Sequence, residues 1–290
     1  MSFMTFDELV QSCIEQNKKI FEVVQESEAF DAEVSVEEIR EKVREHVVAM
    51  KSSIKVGLTT SEKATSNLCG DDCEKLQVRY SHHRALFGRL FEKILIYSLS
   101  TIEENLRMGK IVACPTAGSC GIVPAVIIGV GEDYNLDEQV LVDALITAGA
   151  IGAIISNKVQ LAGAVAGCQA ECGVAAAMSA GALAQMLNGD ITQIINATAL
   201  AMKNLLGLTC DPVAGLVEVP CVKRNPILAI HAITSCELAL AGIESKIPLD
   251  EVIDALRQTG QLMSPMLKES SLAGLATTKT GLKLKEKILG

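Results

Sequence analysis

The 290-residue sequence has no Trp, three Tyr, six Phe, only four His and seven Pro, and fewer cations than anions, with 26 Lys+Arg against 35 Asp+Glu. Each shortage removes a class of function. A formal net charge of −9 offers no electrostatic footprint for a phosphate backbone, and so few aromatics leave little for bases to stack on, so nucleic acid is not expected as a partner. Also missing is an apolar run of the roughly 20 residues needed to cross a bilayer. The cleanest runs, 122–130, 144–155 and 173–187, are interrupted or bounded by Glu132, Asn157, Lys158, Gln185 and Asp190. They read as helices buried all round inside a protein core, and no membrane is expected. The first residues carry acids at Asp7 and Glu8, no basic start and no apolar segment, so no secretory signal is read and a cytoplasmic location is expected.

What the sequence does hold is aliphatic and small: 49% of residues are hydrophobic, 22 are Gly and ten are Cys. In a reducing compartment ten cysteines are not a disulfide framework, and a chain this long has core enough to fold without one. Residues 1–55 read as two amphipathic helices, with Phe6, Leu9, Val10, Cys13, Ile14 and Ile20 to Val24 on one stripe and Val36, Ile39, Val43, Val47 and Met50 on another; Ser35 and Glu38 have capping-box spacing. Gly57, the 59–61 polar run and Gly70-Asp71-Asp72 break the pattern, so 56–83 reads as a long loop. A helix over 85–108 follows, then an extended segment, a turn and a helix start near Pro124. Further helices are expected over 137–155, 171–187, 190–205, 226–242 and 249–259. With no run of alternating β-branched residues, the fold class is all-α: a single helical domain over 1–290, with irregular loops carrying the polar groups. Twelve of the 22 Gly lie between 109 and 189, which implies close contact between helix backbones.

Chemistry is expected in those loops. Cys168, Cys210 and Cys221 each stand at a loop–helix junction and could converge on one point, at spacings unlike a zinc finger's close pairs. Cys69 with Cys73, and Cys168 with Cys172, are each four apart and leave a four-thiolate site open. Cys13 and Cys236 lie in apolar stripes and read as core, whereas Cys114 and Cys120 fit either role. The segment 115–121 opens a helix with small residues and suits an anion, phosphate or carboxylate, although it lacks the Gly-Lys-Ser/Thr of a phosphate loop. His82 and His83 lie in a polar stretch and His231 in an apolar helix, and no Ser/His/Asp constellation is evident.

Four segments together resemble one family. Pro115-Thr-Ala-Gly-Ser-Cys-Gly-Ile-Val-Pro124, Gly167-Cys-Gln-Ala-Glu171, the stretch from Asn204 through Thr209-Cys-Asp-Pro212 and Pro220-Cys-Val222 to Asn225, and Ala241 to Asp254 are similar to the iron-sulfur L-serine dehydratases, specifically their α subunit. The resemblance runs from about Gly57 to the C-terminus. It implies a mostly helical catalytic domain that binds a 4Fe-4S cluster through Cys168, Cys210 and Cys221, with Cys172 as packing. Three thiolates would leave one iron open as a Lewis acid for substrate oxygen. The implied reaction converts L-serine to pyruvate and ammonia, with Thr116, Gly118 and Ser119 of the 116–120 turn and Lys223, Arg224 and Asn225 as substrate-binding candidates; Lys223 and Arg224 could equally offset the cluster's charge. A Ser-rich loop ending in His-Thr, which such families carry on a β subunit, is absent here, so a β partner is implied to complete the site and the catalytic base is left unassigned. The chain departs from the family at Asp71, at Lys158-Val-Gln160 and at Lys268-Glu-Ser-Ser271. Two other readings stay open: pyridoxal phosphate chemistry with Lys158 as the Schiff-base residue, and a non-catalytic iron-sulfur scaffold or electron carrier.

Overall fold

In the computed structural model, which describes residues 3–60, 62–64 and 66–289, the chain forms thirteen α-helices and, among the described residues, no strand. In chain order they are α1 (Phe6–Gln16), α2 (Ile20–Asp31), α3 (Val36–Thr59), α4 (Asp72–His82), α5 (Gly88–Leu106), α6 (Ile122–Asp133), α7 (Glu138–Ser156), α8 (Gly163–Ala166), α9 (Val174–Met186), α10 (Ile191–Lys203), α11 (Cys221–Leu240), α12 (Leu249–Leu262) and α13 (Lys279–Leu289). The all-α expectation holds. At the centre is α9, buried along its whole length and packed on α6, α7, α10 and α11. Its Val-Ala-Ala-Ala-Met-Ser-Ala-Gly sequence explains how four neighbours fit, because small side chains let helix axes approach closely. A Cβ on Gly181 would lie 2.4 Å from Thr198 Oγ1 and 2.5 Å from an Ile151 methyl. On Gly57 of α3 it would lie 2.2 Å from the Ser100 carbonyl oxygen of α5.

Helix starts are written locally where polar residues allow it. Thr5 with Glu8, Ser35 with Glu38 and Asp190 with Gln193 form reciprocal capping boxes that open α1, α3 and α10. The N-terminal region holds three helices where two were expected, because Asn17 takes a left-handed conformation (φ 52°) and ends α1 before the Ile20–Val24 stripe begins. The 56–83 loop also needs correction: α3 runs on to Thr59, and α4 occupies 72–82. What starts α4 is distant in sequence. The fully buried Glu103 carboxylate of α5 accepts the backbone N–H of Asp72 (2.7 Å) and Cys73 (3.3 Å), so a residue some thirty positions downstream does the work of an N-cap.

Helix α7 is longer than its apolar run. With 19 residues and a mean hydropathy of 1.8, it is long and apolar enough to cross a membrane, and 61% of that window is buried against the rest of the chain. Helix α6 starts at Ile122, two residues before Pro124. Helix α11 starts at Cys221, five residues before the expected 226, with Pro226 inside it. That shift makes Cys221 the first residue of a helix instead of a loop residue.

Candidate cysteine-lined site

Three stretches of irregular backbone meet at the N-terminal ends of α9 and α11. Gly167 has φ 78°, and a Cβ there would lie 2.9 Å from the Leu208 carbonyl oxygen and 2.7 Å from the Met263 sulfur, so the position suits Gly; Cys168 comes next, followed by one wide π turn, Gln169–Gly173, that leads into α9. Gln169, fully buried, holds this stretch to its neighbours: its Oε1 accepts the Gly207 N–H (2.8 Å) and its Nε2 donates to the Leu256 carbonyl (3.2 Å). Cys210 is pinned from the far end of the chain, since its N–H donates to the Leu267 carbonyl (2.8 Å) and its carbonyl accepts the Glu269 N–H (2.7 Å). Asp211 anchors the same loop, accepting from Arg224 Nη2 (3.1 Å) and from the Leu275 N–H (2.8 Å). Asn225 brackets the third stretch. Its Oδ1 accepts the Gly121 N–H (2.9 Å), while its Nδ2 donates to the carbonyls of Gly118 (2.9 Å) and Cys221 (3.0 Å).

These anchors gather the thiols of Cys172, Cys210 and Cys221 around that of Cys168, close enough that each alters the acidity of Cys168. All four cysteines are buried and free of disulfides. The contact divides their acidities: hydrogen bonds from Cys172, Cys210 and Cys221 hold Cys168 far below the ordinary thiol range. The same bond to Cys168, and then burial, push the other three far above it. Ionising several crowded, buried thiols together is unfavourable unless a cation takes up their charge. Sulfur donors so arranged suit a soft metal centre, whose binding and thiol deprotonation are linked. Arg224, whose side chain bonds the Thr209 carbonyl (2.9 Å) and Asp211, lies within the field of Cys168, Cys221 and Cys172 and offsets part of that charge.

A carboxylate completes the group. Single donor atoms of Cys168, Glu171 and Cys210 all lie within 4.8 Å of one another. Glu171 Oε2 is 3.8 Å from Cys168 Sγ, and its Oε1 accepts the Thr116 hydroxyl. Burial pushes the Glu171 carboxyl up to about 7, against the Thr116 hydrogen bond and with help from Cys168 and Glu269. Neither Glu171 nor the clamp Gln169 was singled out from sequence, although both stand within three residues of Cys168 in the Gly-Cys-Gln-Ala-Glu stretch.

The other expected site residues divide. Thr116 and Gly118 face Glu171: the Thr116 hydroxyl donates to its Oε1, and a Cβ on Gly118 would lie 2.6 Å from the same atom. Ser119 is fully buried and its hydroxyl donates to the Cys114 carbonyl (3.2 Å). Lys223 turns away from the thiols, toward Asp72 (2.6 Å) and Cys69 Sγ (3.1 Å). Lys158 is held by Asp250 (3.8 Å) and Asp254 (3.6 Å) of α12. Lys268 pairs with Cys210 in an isolated parallel bridge. His82 and His83 line a cleft of about 910 Å³ between α4 and α5, and His231 bonds the Ala201 carbonyl (2.9 Å).

In an all-helical protein, loops here gather buried thiols and a carboxylate beside a small-residue turn into a donor group of a kind that could hold a metal ion. The sequence pattern of one family, described as Serine dehydratase alpha chain, matches residues 15–276. The chain is 39% identical over 285 residues to the L-serine dehydratase, alpha chain, of Peptoniphilus asaccharolyticus, covering 98% of both chains. It is 41% identical over 288 residues to the probable L-serine dehydratase, alpha chain, of Bacillus subtilis (strain 168), covering 99% of this chain and 96% of that one. A longer relative, the L-serine dehydratase of Streptomyces coelicolor, is 37% identical over 281 residues, which cover 94% of this chain and 60% of the relative. The chain belongs to the serine dehydratase alpha chain family.

Proposed function

We propose that residues 1–290, as one catalytic domain, are the α subunit of an L-serine ammonia-lyase that holds a 4Fe-4S cluster on Cys168, Cys210 and Cys221 and works with a β subunit. The observation that carries this reading is the contact of Cys168 with Cys210 and Cys221, three cysteines from separate stretches of a chain whose relatives are named L-serine dehydratases. The donor set fits such a group: buried thiols that resist joint ionisation without a cation, with Arg224 beside them. Bound there, a cluster with three thiolate ligands supplies an iron with a free position, a Lewis acid for a hydroxyl oxygen.

In this reading the protein's own residues orient L-serine for loss of its α-proton and β-hydroxyl, giving aminoacrylate, which hydrolyses to pyruvate and ammonia. The backbone of the turn at Gly118 receives the substrate carboxylate, while Thr116, whose hydroxyl donates to Glu171, fixes that side chain beside the turn. Ser119 and Asn225 hold that turn in shape, since their polar atoms bond within the protein. Arg224 offsets thiolate charge, and Lys223 ties the start of α11 to Asp72. The β subunit contributes the α-proton acceptor. That family members such as the Streptomyces coelicolor protein extend well beyond the matched region supports a second segment in the working enzyme.

Anaerobic purification, iron and sulfide assay, and serine-dependent pyruvate release with and without the β subunit test the proposal together. Iron with sulfide in near-equal amounts, and pyruvate released only in the presence of β, are expected. An aldimine absorption band without iron or sulfide would overturn it in favour of pyridoxal phosphate.

A further inference from the structure

We propose that the Glu171 carboxylate is the acceptor for the α-ammonium group of the substrate, and so the residue by which the site selects amino acids over the corresponding hydroxy acids. The inference rests on the serine-lyase reading and extends it to the recognition of one functional group.

Position comes first. Glu171 bridges the turn and the thiols, with Oε1 on the Thr116 hydroxyl and Oε2 3.8 Å from Cys168 Sγ. Glycine backbone packs close on the carboxylate from two sides: a Cβ would come within 2.6 Å of Oε1 on Gly118 and 3.0 Å of Oε2 on Gly163. An amino acid carries its ammonium on the carbon next to its carboxylate. A substrate carboxylate received at the Thr116–Gly118 turn therefore brings its ammonium beside Glu171.

Charge makes the same point. Among the described residues no Lys, Arg or His forms an ion pair with Glu171, whose side-chain contacts are the Thr116 hydroxyl and the Cys168 thiol. The nearby cations are committed elsewhere, Arg224 to Asp211 and the Thr209 carbonyl, Lys223 to Asp72. A half-buried carboxylate without a cation is unfavourable unless a ligand supplies one. The ammonium of serine is such a cation.

The test uses the holoenzyme with its β partner and the variant Glu171→Gln, which keeps the shape and the acceptor for Thr116 but removes the charge. Expected are wild-type iron and sulfide content, a KM for L-serine raised about 10-fold or more, as loss of a charge-assisted hydrogen bond implies, and unchanged competitive inhibition by L-glycerate, which carries a hydroxyl where serine has its ammonium. Glu171→Asp, with the charge kept on a shorter arm, should recover part of the serine affinity, and it gives the same comparison of serine with glycerate if the Gln variant fails to fold. Loss of iron from Glu171→Gln would overturn the proposal by making the carboxylate a metal ligand. Equal weakening of serine and glycerate, or loss of kcat at constant KM, would overturn it too. If wild-type protein itself lacks iron or releases no pyruvate, the parent reading fails instead, and the same assays report that separately.

Discussion

Two groups of buried cysteines lie in this protein, and they differ in what the sulfur meets. The thiols of Cys172, Cys210 and Cys221 converge on that of Cys168, with a carboxylate and a guanidinium alongside. Cys69, Cys73 and Cys120 are as deeply buried, but they pack with Ile96, Leu99, Ile102 and Val222, and each thiol is directed at a backbone carbonyl: Glu218 (4.0 Å), Ile96 (3.7 Å) and Thr101 (4.0 Å) respectively. Burial raises all of the second set, Cys73 to about 12 and Cys69 against the opposing Lys223 ammonium, whereas mutual proximity lowers one thiol of the first set and raises the others. Burial alone makes a cysteine a small hydrophobe. Convergence of sulfurs is what makes a donor site.

Breaking the first group should have the largest effect. Cys168→Ala, Cys210→Ala and Cys221→Ala are each expected to reduce iron and sulfide to background in anaerobically reconstituted protein; retention in all three would erase the distinction between the groups. Next comes the bracket. Asn225→Ala removes a side chain that bonds Gly121, Gly118 and Cys221, and leaving those buried backbone groups unpaired should cost about 2–3 kcal/mol. Denaturant titration of the cluster-loaded protein reads that cost, and wild-type stability in this variant would remove Asn225 from the account of the site.

The apolar cysteines carry a pH signature of opposite character. Burial pushes Cys114, as it does Cys73, from the ordinary 9.0 up to about 12. A thiol kept neutral in the folded state ionises first in the unfolded chain, so its contribution to stability is complete below pH 9 and is lost as pH rises toward 12. Between pH 8 and pH 11 the Tm of wild type should therefore fall more steeply than that of Cys114→Ala, and parallel slopes would contradict the burial argument. The smallest effect is expected from Cys73→Ala: full iron content, with a loss of about 1 kcal/mol of stability from removing one packed sulfur. Iron loss in that variant would move Cys73 into the site. Cys172→Ala separates packing from ligation. As a packing residue it should leave iron and sulfide intact, although its thiol touches Cys168.

Much of this was legible in the sequence, and the exceptions have one cause. Helices with their own polar starts, such as α3 behind Ser35 and α10 behind Asp190, are encoded within a few residues, because a capping box closes over three positions. The start of α4 is supplied by Glu103 from another helix, so no local pattern announced it and its stretch read as loop. Cys221 read as a loop residue because Pro226 suggests a helix start, while the backbone had already turned helical five residues earlier. Lys223 and Arg224 are adjacent in sequence and looked interchangeable. In the fold, consecutive helical positions point in different directions, which sends Lys223 to Asp72 and Cys69 and leaves Arg224 beside the thiols.

By itself the sequence determined the helical class, the small-residue packing that a Trp-free, Gly-rich and Ala-rich core requires, and the three loops in which Cys168, Cys210 and Cys221 lie, since composition, periodicity and short motifs are local properties of the chain. Only the tertiary structure decided which sulfurs touch, that Cys172 joins them, that Glu171 stands between the turn and the thiols, and that Lys223 does not face them. Those relations depend on contacts between segments as far apart as Cys210 and Leu267, and on the direction each side chain leaves its helix.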